Sequence, residues 1–565
     1  MDSITLYQRI EGELDLDRME ASVQTIGGWH RYTGTPQGER FVDYLTGELD
    51  QSGIPYTTEE YCAYTSLPLA AELVLLGETP IRLIGDVFSG EAERMEGELI
   101  YDRWPEGSSD KENEVRFAAF RDKIVLTRSS GGAFAERVSR AGGRGVLHIS
   151  RSPGGYIHHD NISASWGTPC SGEHRFLGCI PSAGISLEDG EVLIRRLDQG
   201  RVHGRLTVKM DTRVRRSRMP VVHIPGASES FVLLNGHYDS WYEGITDNAG
   251  SDAILLELAR AFWNHREYLK RGVRIAWWSG HSDARYAGSA WYCDRHWEEL
   301  NRNCVANINL DLTGCKLAKQ IRARTTCMEG EELTAGLIQE FTGARAKPYI
   351  PMIRGGDQSF WGVRIPIDIM FKYEPRDEDR VSPCPSGGPW WHTDQDTIDK
   401  LDRDILLRDA RLNGKLACLI LNAQILPVRM GQFLEQMEGF LRDIQAGLSE
   451  DFELSSTIDR VRALVPLCGR LEEKLSSMTA RESDRIIKRV AGELVRLVYT
   501  SGSPYQHDRS TPYQPFGVLA GAQGKRWENT PEELYVFEMT QFRRACNRIK
   551  GQMAELAEEM ECMLS

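Results

Sequence analysis

The sequence predicts an α/β protein built around a doubly wound sheet, with a small β-rich unit and a helical unit attached to it. Three patterns in the 565 residues predict this arrangement. Nearly continuous apolar strands alternate with helices over residues 216–430, and short β-branched runs alternate with glycine-rich turns over residues 66–215. Long amphipathic helices dominate residues 431–565, and residues 1–65 open the chain with two helical patterns.

The composition limits the classes of partner. The chain carries 82 acidic and 68 basic residues, a net charge of −14, which argues against nucleic acid as a partner. No apolar run approaches 18 residues, so we expect no membrane-spanning helix. The first residues show no signal-peptide pattern, and the 12 cysteines form no CxxC pair. These features predict a cytoplasmic protein with reduced thiols.

The stretch 66–215 is expected to fold around a core of its own. Strand-like runs such as DKIVLTR and RGVLHIS are separated by a helical pattern over Ala133–Ala141, which ends at a pair of glycines. This alternation predicts a small α+β or β-rich domain.

The strands of the central unit are expected to be parallel and buried. They are FVLLNGHYD, GVRIAWWSG and CVANINLDL, with helices between them. In a doubly wound sheet, ligands bind at the carboxyl ends of the strands, so the residues at these ends are the candidate site.

The first of these strands ends in His237 and Asp239. Residues two apart on a strand face the same side, so the Asp239 carboxylate is placed to accept the second ring N–H of a metal-binding His237. Asp247 follows in a glycine-containing loop, where its carboxylate can bridge two cations.

Further candidates follow the other strands. The second strand leads to His281 and Asp283, the third ends at Asp311, and His392 follows a long Pro/Gly-rich loop. Histidine nitrogens and carboxylate oxygens form a ligand set that suits Zn²⁺, with Mn²⁺ or Co²⁺ as looser occupants. We therefore expect a metal site at this edge of the sheet.

Four residues are candidates for substrate contact. Arg354 can bind a carboxylate or lie on the surface, and Asp357 can bind an amine or cap a helix. Tyr373 can donate to an oxyanion, and Trp391 can line the site or pack in the core.

Several of these segments together resemble a zinc aminopeptidase family, peptidase family M28, which also includes glutamate carboxypeptidase and the transferrin receptor. The resemblance is carried by GHYDSWYEGITDNAGSDAILLELARAF, WWSGHSDARYAGSAWY, NINLDLTG and WWHTDQDTIDKLD. Residues 66–215 resemble an inserted protease-associated domain, and residues 431–565 are placed like the dimerisation domain of the family. The resemblance implies a mixed sheet and a homodimer.

The resemblance also implies roles for individual residues. His237 and Asp311 would bind one zinc, Asp247 would bridge two zincs, and His392 would bind the second. Asp239 would be the partner of His237, and the peptide bond after Asp247 would be cis.

The sequence departs from the family after the second strand. Family members carry a Glu–Glu pair there, a general base followed by a zinc ligand, whereas this chain has Ser282 and Asp283 at the aligned positions. A serine hydroxyl cannot take a proton from water at neutral pH. We predict His281, Asp239 and Asp283 as the catalytic residues. His281 is a plausible acid/base or a structural residue, and Asp283 is a shorter ligand, a cap or a partner of Arg285.

The resemblance therefore predicts a hydrolase of amide or peptide bonds, an exopeptidase or small-molecule amidohydrolase, with one or two zinc ions. The expected substrate is a short peptide or a small molecule. The missing Glu–Glu pair leaves two alternatives, a metal-dependent lyase in which His281 moves the proton, and a non-catalytic receptor-like protein.

Overall fold

The structure of the chain is a computed structural model. It describes residues 1–104, 107–129, 131–344, 350–374, 387–510 and 515–565. Within these ranges the strands form one hydrogen-bonded sheet. They are β1 (Tyr56–Leu75), β2 (Ile81–Arg82), β3 (Ile84–Gly85), β4 (Ala92–Tyr101), β5 (Lys123–Thr127), β6 (Gly145–Ile149), β7 (Ser182–Ile185), β8 (His203–Ile224), β9 (Phe231–His237), β10 (Gly272–Trp278), β11 (Cys304–Asn309), β12 (Gln320–Thr325), β13 (Ile350–Pro351) and β14 (Ile367–Glu374).

The α-helices lie on both faces of the sheet and in the C-terminal region. They are α1 (Ser3–Glu13), α2 (Leu16–Gly27), α3 (Pro36–Gln51), α4 (Asp110–Ala118), α5 (Gly132–Arg140), α6 (Leu187–Gln199), α7 (Gly250–Asn264), α8 (Ala287–Arg295), α9 (Trp297–Asn303), α10 (Glu331–Thr342), α11 (Arg403–Leu421), α12 (Met430–Gly447), α13 (Ser455–Leu475), α14 (Ala480–Tyr499), α15 (Gly517–Ala520) and α16 (Glu532–Leu564). None of those described has the length and apolar character needed to cross a bilayer.

The central part of the sheet is mixed. Its strand order is β13-β12-β14-β11-β9-β10-β8. Strand β9 pairs in parallel with β10 and β11, and β11 pairs in parallel with β14. Strand β8 runs antiparallel to β10, and β12 runs antiparallel to β14 but parallel to β13. All seven residues of β9 are buried, as its apolar sequence predicts. The predicted α/β class is confirmed.

Two long strands join the central part of the sheet to a smaller part. Strands β1 and β8, of 20 and 22 residues, pair antiparallel along almost their whole length. Beyond them the sheet continues through β4, β5, β6, β7 and β3, covered by α4, α5 and α6. The boundaries predicted at residues 66 and 215 fall inside these two strands, so the sheet is continuous across them. The identity of this part as a protease-associated domain stays a prediction.

The C-terminal region is helical, as predicted. Helix α13 packs against both α12 and α16, and α14 lies against the 3₁₀ turn Trp361–Val363. At the start of β10, the fully buried Arg271 donates to both carboxylate oxygens of Asp484 on α14, at 2.8 and 2.6 Å. This ion pair fixes the helical region to the sheet.

Replacing Asp484 with alanine is expected to lower the free energy of unfolding by about 3–5 kcal/mol, because the variant leaves the Arg271 guanidinium buried without its carboxylate partner. Urea unfolding followed by circular dichroism measures the change. The matched control is R442A, which removes an exposed ion pair with Glu438 and should cost less than about 0.5 kcal/mol. Equal effects of the two variants would contradict this account.

The smaller part of the sheet contains a buried His–Asp pair that predicts a pH dependence of stability. His148 Nε2 lies 2.6 Å from Asp86, and although burial alone would lower the pKa of His148, the Asp86 charge raises it from 6.5 to about 9. A raised pKa stabilises the fold fully below pH 6.5, and this stabilisation is lost as the pH rises to about 9. Melting temperatures from pH 6 to 10 should therefore fall less steeply in H148Q than in the natural chain; identical slopes would refute this.

Candidate metal centre

The end of β9 presents one ring nitrogen of His237 to the site. The side chain is fully buried, and its Nδ1 donates to the backbone carbonyl of Asp239 at 2.9 Å, which leaves Nε2 facing the site. The Asp239 carboxylate was predicted to take this proton, but it lies 3.8 Å away and accepts instead from the backbone N–H groups of His281 and Ser282, at 3.1 and 2.8 Å. The chain after β10 turns sharply here, which brings those amides to the carboxylate. Asp239 therefore positions the turn after β10, and its backbone carbonyl, not its carboxylate, accepts from His237.

Asp247 lies between two imidazoles. Its Oδ1 is 3.1 Å from His237 Nε2, and its Oδ2 is 3.2 Å from His392 Nε2. Burial acts to raise the pKa of Asp247, but the two histidines hold it well below the usual range. The carboxylate sits in a π-helical turn, Ile245–Ala249, and the peptide bond to Asn248 is cis, as the family resemblance implies.

Asn248 connects the ends of two strands. Its Nδ2 donates to the carbonyls of His237 and Leu310, and its Oδ1 accepts from the Leu312 amide. Asp311 lies between Leu310 and Leu312, so these bonds hold it in place, with its Oδ1 3.6 Å from His237 Nε2. The sequence analysis assigned Asn248 no such role, because its partners come from a different strand.

Asp396 is a second residue that sequence reasoning missed. Its buried carboxylate accepts from the Thr246 amide and hydroxyl and from the Asp247 amide, at 2.9–3.2 Å. It therefore holds the turn that presents Asp247. Burial, reinforced by the Asp247 charge, raises the pKa of Asp396 to about 7. Its position in the HTDQDT block, just after His392, was the available signal.

Arg31 places a buried positive charge behind the cluster. Its guanidinium donates to five backbone carbonyls, those of Ile26, Trp29, Tyr238, Glu243 and Gly244. Burial lowers the pKa of Arg31, and the nearby acidic groups, including Asp239 and Asp247, act in the opposite direction. The sequence analysis assigned Arg31 no role.

The smaller part of the sheet supports His392. His392 Nδ1 donates to the backbone carbonyl of His159 at 2.8 Å, and the His159 amide donates back to the His392 carbonyl. Trp391 stacks on the His392 ring with centroids 3.4 Å apart. Of the two predicted alternatives, lining the site or packing in the core, this contact agrees with the first.

His281 lies directly against His237. Their rings are stacked with centroids 3.8 Å apart, and His281 Nδ1 is 3.0 Å from Asp357 Oδ2. Asp357 was predicted to bind an amine or to cap a helix; the structure pairs it with this imidazole instead. Burial acts to raise the pKa of Asp357, but His281 holds it below the ordinary value.

Asp283, predicted as a ligand and a catalytic residue, points away from the cluster. Both of its oxygens are bonded to Thr33, one to the amide at 2.9 Å and one to the hydroxyl at 2.5 Å. Burial and the charge of Asp239 raise its pKa to about 7. The prediction for Asp283 is corrected, because an aspartate is one methylene shorter than glutamate and this one is bonded to the loop before α3.

Two predicted substrate contacts also lie elsewhere. The Arg354 guanidinium lies over Trp166, 4.1 Å from the ring centroid, and the Tyr373 hydroxyl accepts from Asn413 on α11. Both side chains are buried in packing. The structure does not bring either to the cluster.

The cluster contains three buried atoms that could bind a metal and that make no hydrogen bond within the described part of the chain. They are His237 Nε2, Asp247 Oδ1 and Asp311 Oδ1. Leaving such atoms unpaired is costly, and three of them facing one another fit a bound cation. A nitrogen and two carboxylate oxygens are ligands that Zn²⁺ accepts. The residues present therefore fit a metal ion.

Replacing Asp396 with alanine is expected to weaken metal binding about 10–100-fold, because the Asp247 turn loses the carboxylate that accepts from its amides. Competition with a chromophoric chelator measures the affinity. D399A removes an exposed carboxylate from the same loop and serves as the control. Unchanged affinity in the Asp396 variant would show that the turn keeps its geometry without this carboxylate.

Comparisons with known proteins find a family match in the central unit. Residues 221–417 match the model of peptidase family M28. A leucine aminopeptidase 2 from Trichophyton equinum is 26% identical over 195 residues, which are 34% of this chain and 37% of that enzyme. A putative endoplasmic reticulum metallopeptidase 1-B from Caenorhabditis elegans is 28% identical over 186 residues, 31% of this chain and 19% of that protein. The matched segment thus spans well under two thirds of these relatives.

Solved structures share the fold. An aminopeptidase from Aneurinibacillus sp. strain AM-1 superposes with a TM-score of 0.55 at 19% identity, covering 72% of this chain and 94% of that one. A zinc aminopeptidase from Bacillus subtilis gives 0.54 at 18% identity, with 71% and 94% covered. These comparisons do not favour the lyase or the receptor-like alternative. Residues 221–417, which carry every candidate ligand from His237 to His392, therefore match peptidase family M28, and the relatives and the shared fold support that family.

Proposed function

We propose that this protein is a metal-dependent hydrolase of amide or peptide bonds that acts on short peptides or small amides. The observation that carries the proposal is a cluster of three buried potential metal ligands, on His237, Asp247 and Asp311, that make no hydrogen bond to a described residue. The family of the central domain and the aminopeptidase names of its relatives support the same reaction class.

Zinc is the proposed ion, with Mn²⁺ or Co²⁺ as substitutes. The nitrogen and oxygen donors suit it, and the structurally similar enzyme from Bacillus subtilis is described as a zinc aminopeptidase. When bound, a divalent ion polarises the scissile carbonyl and makes a water molecule more acidic.

The protein holds the donors in place and keeps bulk water away from them. Asp396 and Asn248 fix the turn that presents Asp247, and the backbone of His159 orients His392. His237 is fully buried, and the side chains of Asp247 and Asp311 are each 8% exposed. Donors fixed in this way need little rearrangement when a substrate binds.

A changed general base is part of the proposal. The residues aligned with the family's Glu–Glu pair are Ser282 and Asp283. A serine hydroxyl is too weak a base, and both Asp283 oxygens accept from Thr33. Neither residue is placed to take a proton from a water molecule at the cluster.

The homodimer and the cytoplasmic location stay predictions from the sequence. Phe537 and Val536 on α16 are 66% and 48% exposed, so the C-terminal helices present apolar surface that a second copy could cover. The net charge and the lack of a long apolar run still lead us to expect a partner that is neither nucleic acid nor a membrane.

Removing the metal is expected to abolish hydrolysis of an aminoacyl-anilide panel, and added Zn²⁺ should restore it. The variant D311N should lower kcat/KM by more than about 100-fold, since loss of a ligand exceeds the usual effect of losing an outer partner. Initial rates before and after dialysis against a chelator provide the measurement. D459N, on the exposed face of α13, is the control. Undiminished hydrolysis by metal-free protein would refute the proposal.

A further inference from the structure

We propose that a groove on the C-terminal helical region binds a small organic anion, in which a phosphate or carboxylate group is attached to an apolar body. The groove lies along α16, beside α15 and the chain that follows α14. This site is separate from the metal centre, and the inference does not depend on the proposed hydrolysis.

The middle of α16 carries a concentration of positive charge. Residues 541–550 (QFRRACNRIK) contain Arg543, Arg544, Arg548 and Lys550 and no acidic residue, in a chain whose net charge is −14. The same helix is acidic on both sides of this stretch, with EELYVFE before it and ELAEEME after it. The positive charge is therefore confined to one part of the helix.

Two of these arginines share one face of α16 with an aromatic ring. Arg544 and Arg548 are four residues apart on the helix, so their guanidinium groups lie on the same face. Phe537 and Gln541 continue this face toward the start of the helix, at spacings of four and three residues. Like charges four residues apart destabilise a helix, and a negative charge bound between them would remove that cost.

A groove of about 610 Å³ lies beside this face. Its lining outside α16 consists of Ser501, which follows α14, and Val518 on α15. None of the described lining residues is acidic. The volume falls within the range of about 300–1,000 Å³ that is typical of small-molecule sites.

The two guanidinium groups in the groove have no carboxylate partner in the part of the chain that the structure describes. Arg548 donates to two neutral acceptors, the side chain of Gln552 at 3.1 Å and the carbonyl of Thr500 at 2.9 Å. Arg544 is exposed and forms no hydrogen bond or ion pair with a described residue. Both groups therefore keep N–H donors for a ligand.

The acidic residues nearest to Arg548 are bonded elsewhere. Asp508 accepts from the amide and the hydroxyl of Ser501, at 2.8 and 2.7 Å. Glu493 is paired with Arg496 and Arg364. Burial lowers the pKa of Arg548, and the charges of Asp508 and Glu493 do not make up the difference. An anion in the groove would supply the missing negative charge.

The remaining lining indicates what the anion carries. A guanidinium group binds phosphate or carboxylate through two parallel hydrogen bonds. Phe537 is 66% exposed and Val518 is half-buried, so the groove also offers apolar surface. An inorganic ion would leave that surface in contact with water, whereas an oxyanion on an apolar body would cover it.

A second copy of the chain is the competing occupant, because Phe537 belongs to the apolar surface described above. In a twofold contact the same surface meets itself, so Arg544 and Arg548 of the two copies would be brought together. The described lining offers no acidic residue to compensate them. The charge of the groove therefore favours an anionic ligand over a second copy.

The test is binding of phenyl phosphate to the whole natural chain, measured by isothermal titration calorimetry at low salt, with inorganic phosphate as the second probe. The variants are R544Q, F537A and R543Q. Arg543 is exposed on α16 and does not line the groove, so R543Q is the control with the same change of charge. A metal ion can also bind phosphate, so the readout is the difference between R544Q and R543Q. Circular dichroism checks that each variant is folded.

We expect R544Q to bind phenyl phosphate at least about tenfold more weakly than the natural chain, because it loses a charge-assisted hydrogen bond. F537A should weaken phenyl phosphate binding about three- to tenfold and leave the binding of inorganic phosphate unchanged, since only the former has a ring to pack on Phe537. R543Q should match the natural chain with both probes.

Three results would overturn the inference. The first is a natural chain that does not bind phenyl phosphate, or equal affinities in R544Q and R543Q. The second is a dimer, seen by light scattering, that F537A converts to a monomer, because a second copy would then occupy the groove. The third is sedimentation with phosphatidylserine vesicles that R544Q abolishes, in protein that does not bind phenyl phosphate, which would assign this face to a lipid surface.

Discussion

The buried carboxylate of Asp247 is the group on which the arrangement of the site depends. A charge taken out of water needs compensating partners, and here each oxygen faces an imidazole, of His237 or of His392. The turn that carries it is held by Asp396 from one direction and by Asn248 from the other. Asn248 also bonds to the chain at the ends of both β9 and β11, so the Asp247 turn and the two strand ends are held together.

The smaller part of the sheet is joined to this unit at several points. The His159 backbone pairs with His392, and the Asn161 side-chain amide donates to the Ser282 carbonyl at 3.0 Å. Trp166 stacks on Tyr286, which packs against His281. Residues outside the segment 221–417 thus support the imidazoles of His392 and His281. Loss of this part would disturb the site as well as the sheet.

The fate of the aligned Glu–Glu positions shows how a local change alters a whole site. Asp283 is too short and too well bonded to Thr33 to reach the cluster. The preceding turn, held by the Asp239 carboxylate, brings His281 onto His237 instead. The two amide hydrogen bonds to Asp239 therefore set a backbone path that places His281, and not Asp283, against His237.

The sequence by itself determined the α/β class, the helical C-terminal region and the strand ends that carry His237, Asp247, Asp311 and His392. Apolar periodicity and strand-end position are local properties, so they can be recognised without coordinates. Only the tertiary structure decided the partners: Asp283 with Thr33, Asp357 with His281, Tyr373 with Asn413 and Arg354 over Trp166. Each of these contacts joins segments separated along the chain, and a side chain's partner depends on where the folded backbone places it rather than on its neighbours in sequence.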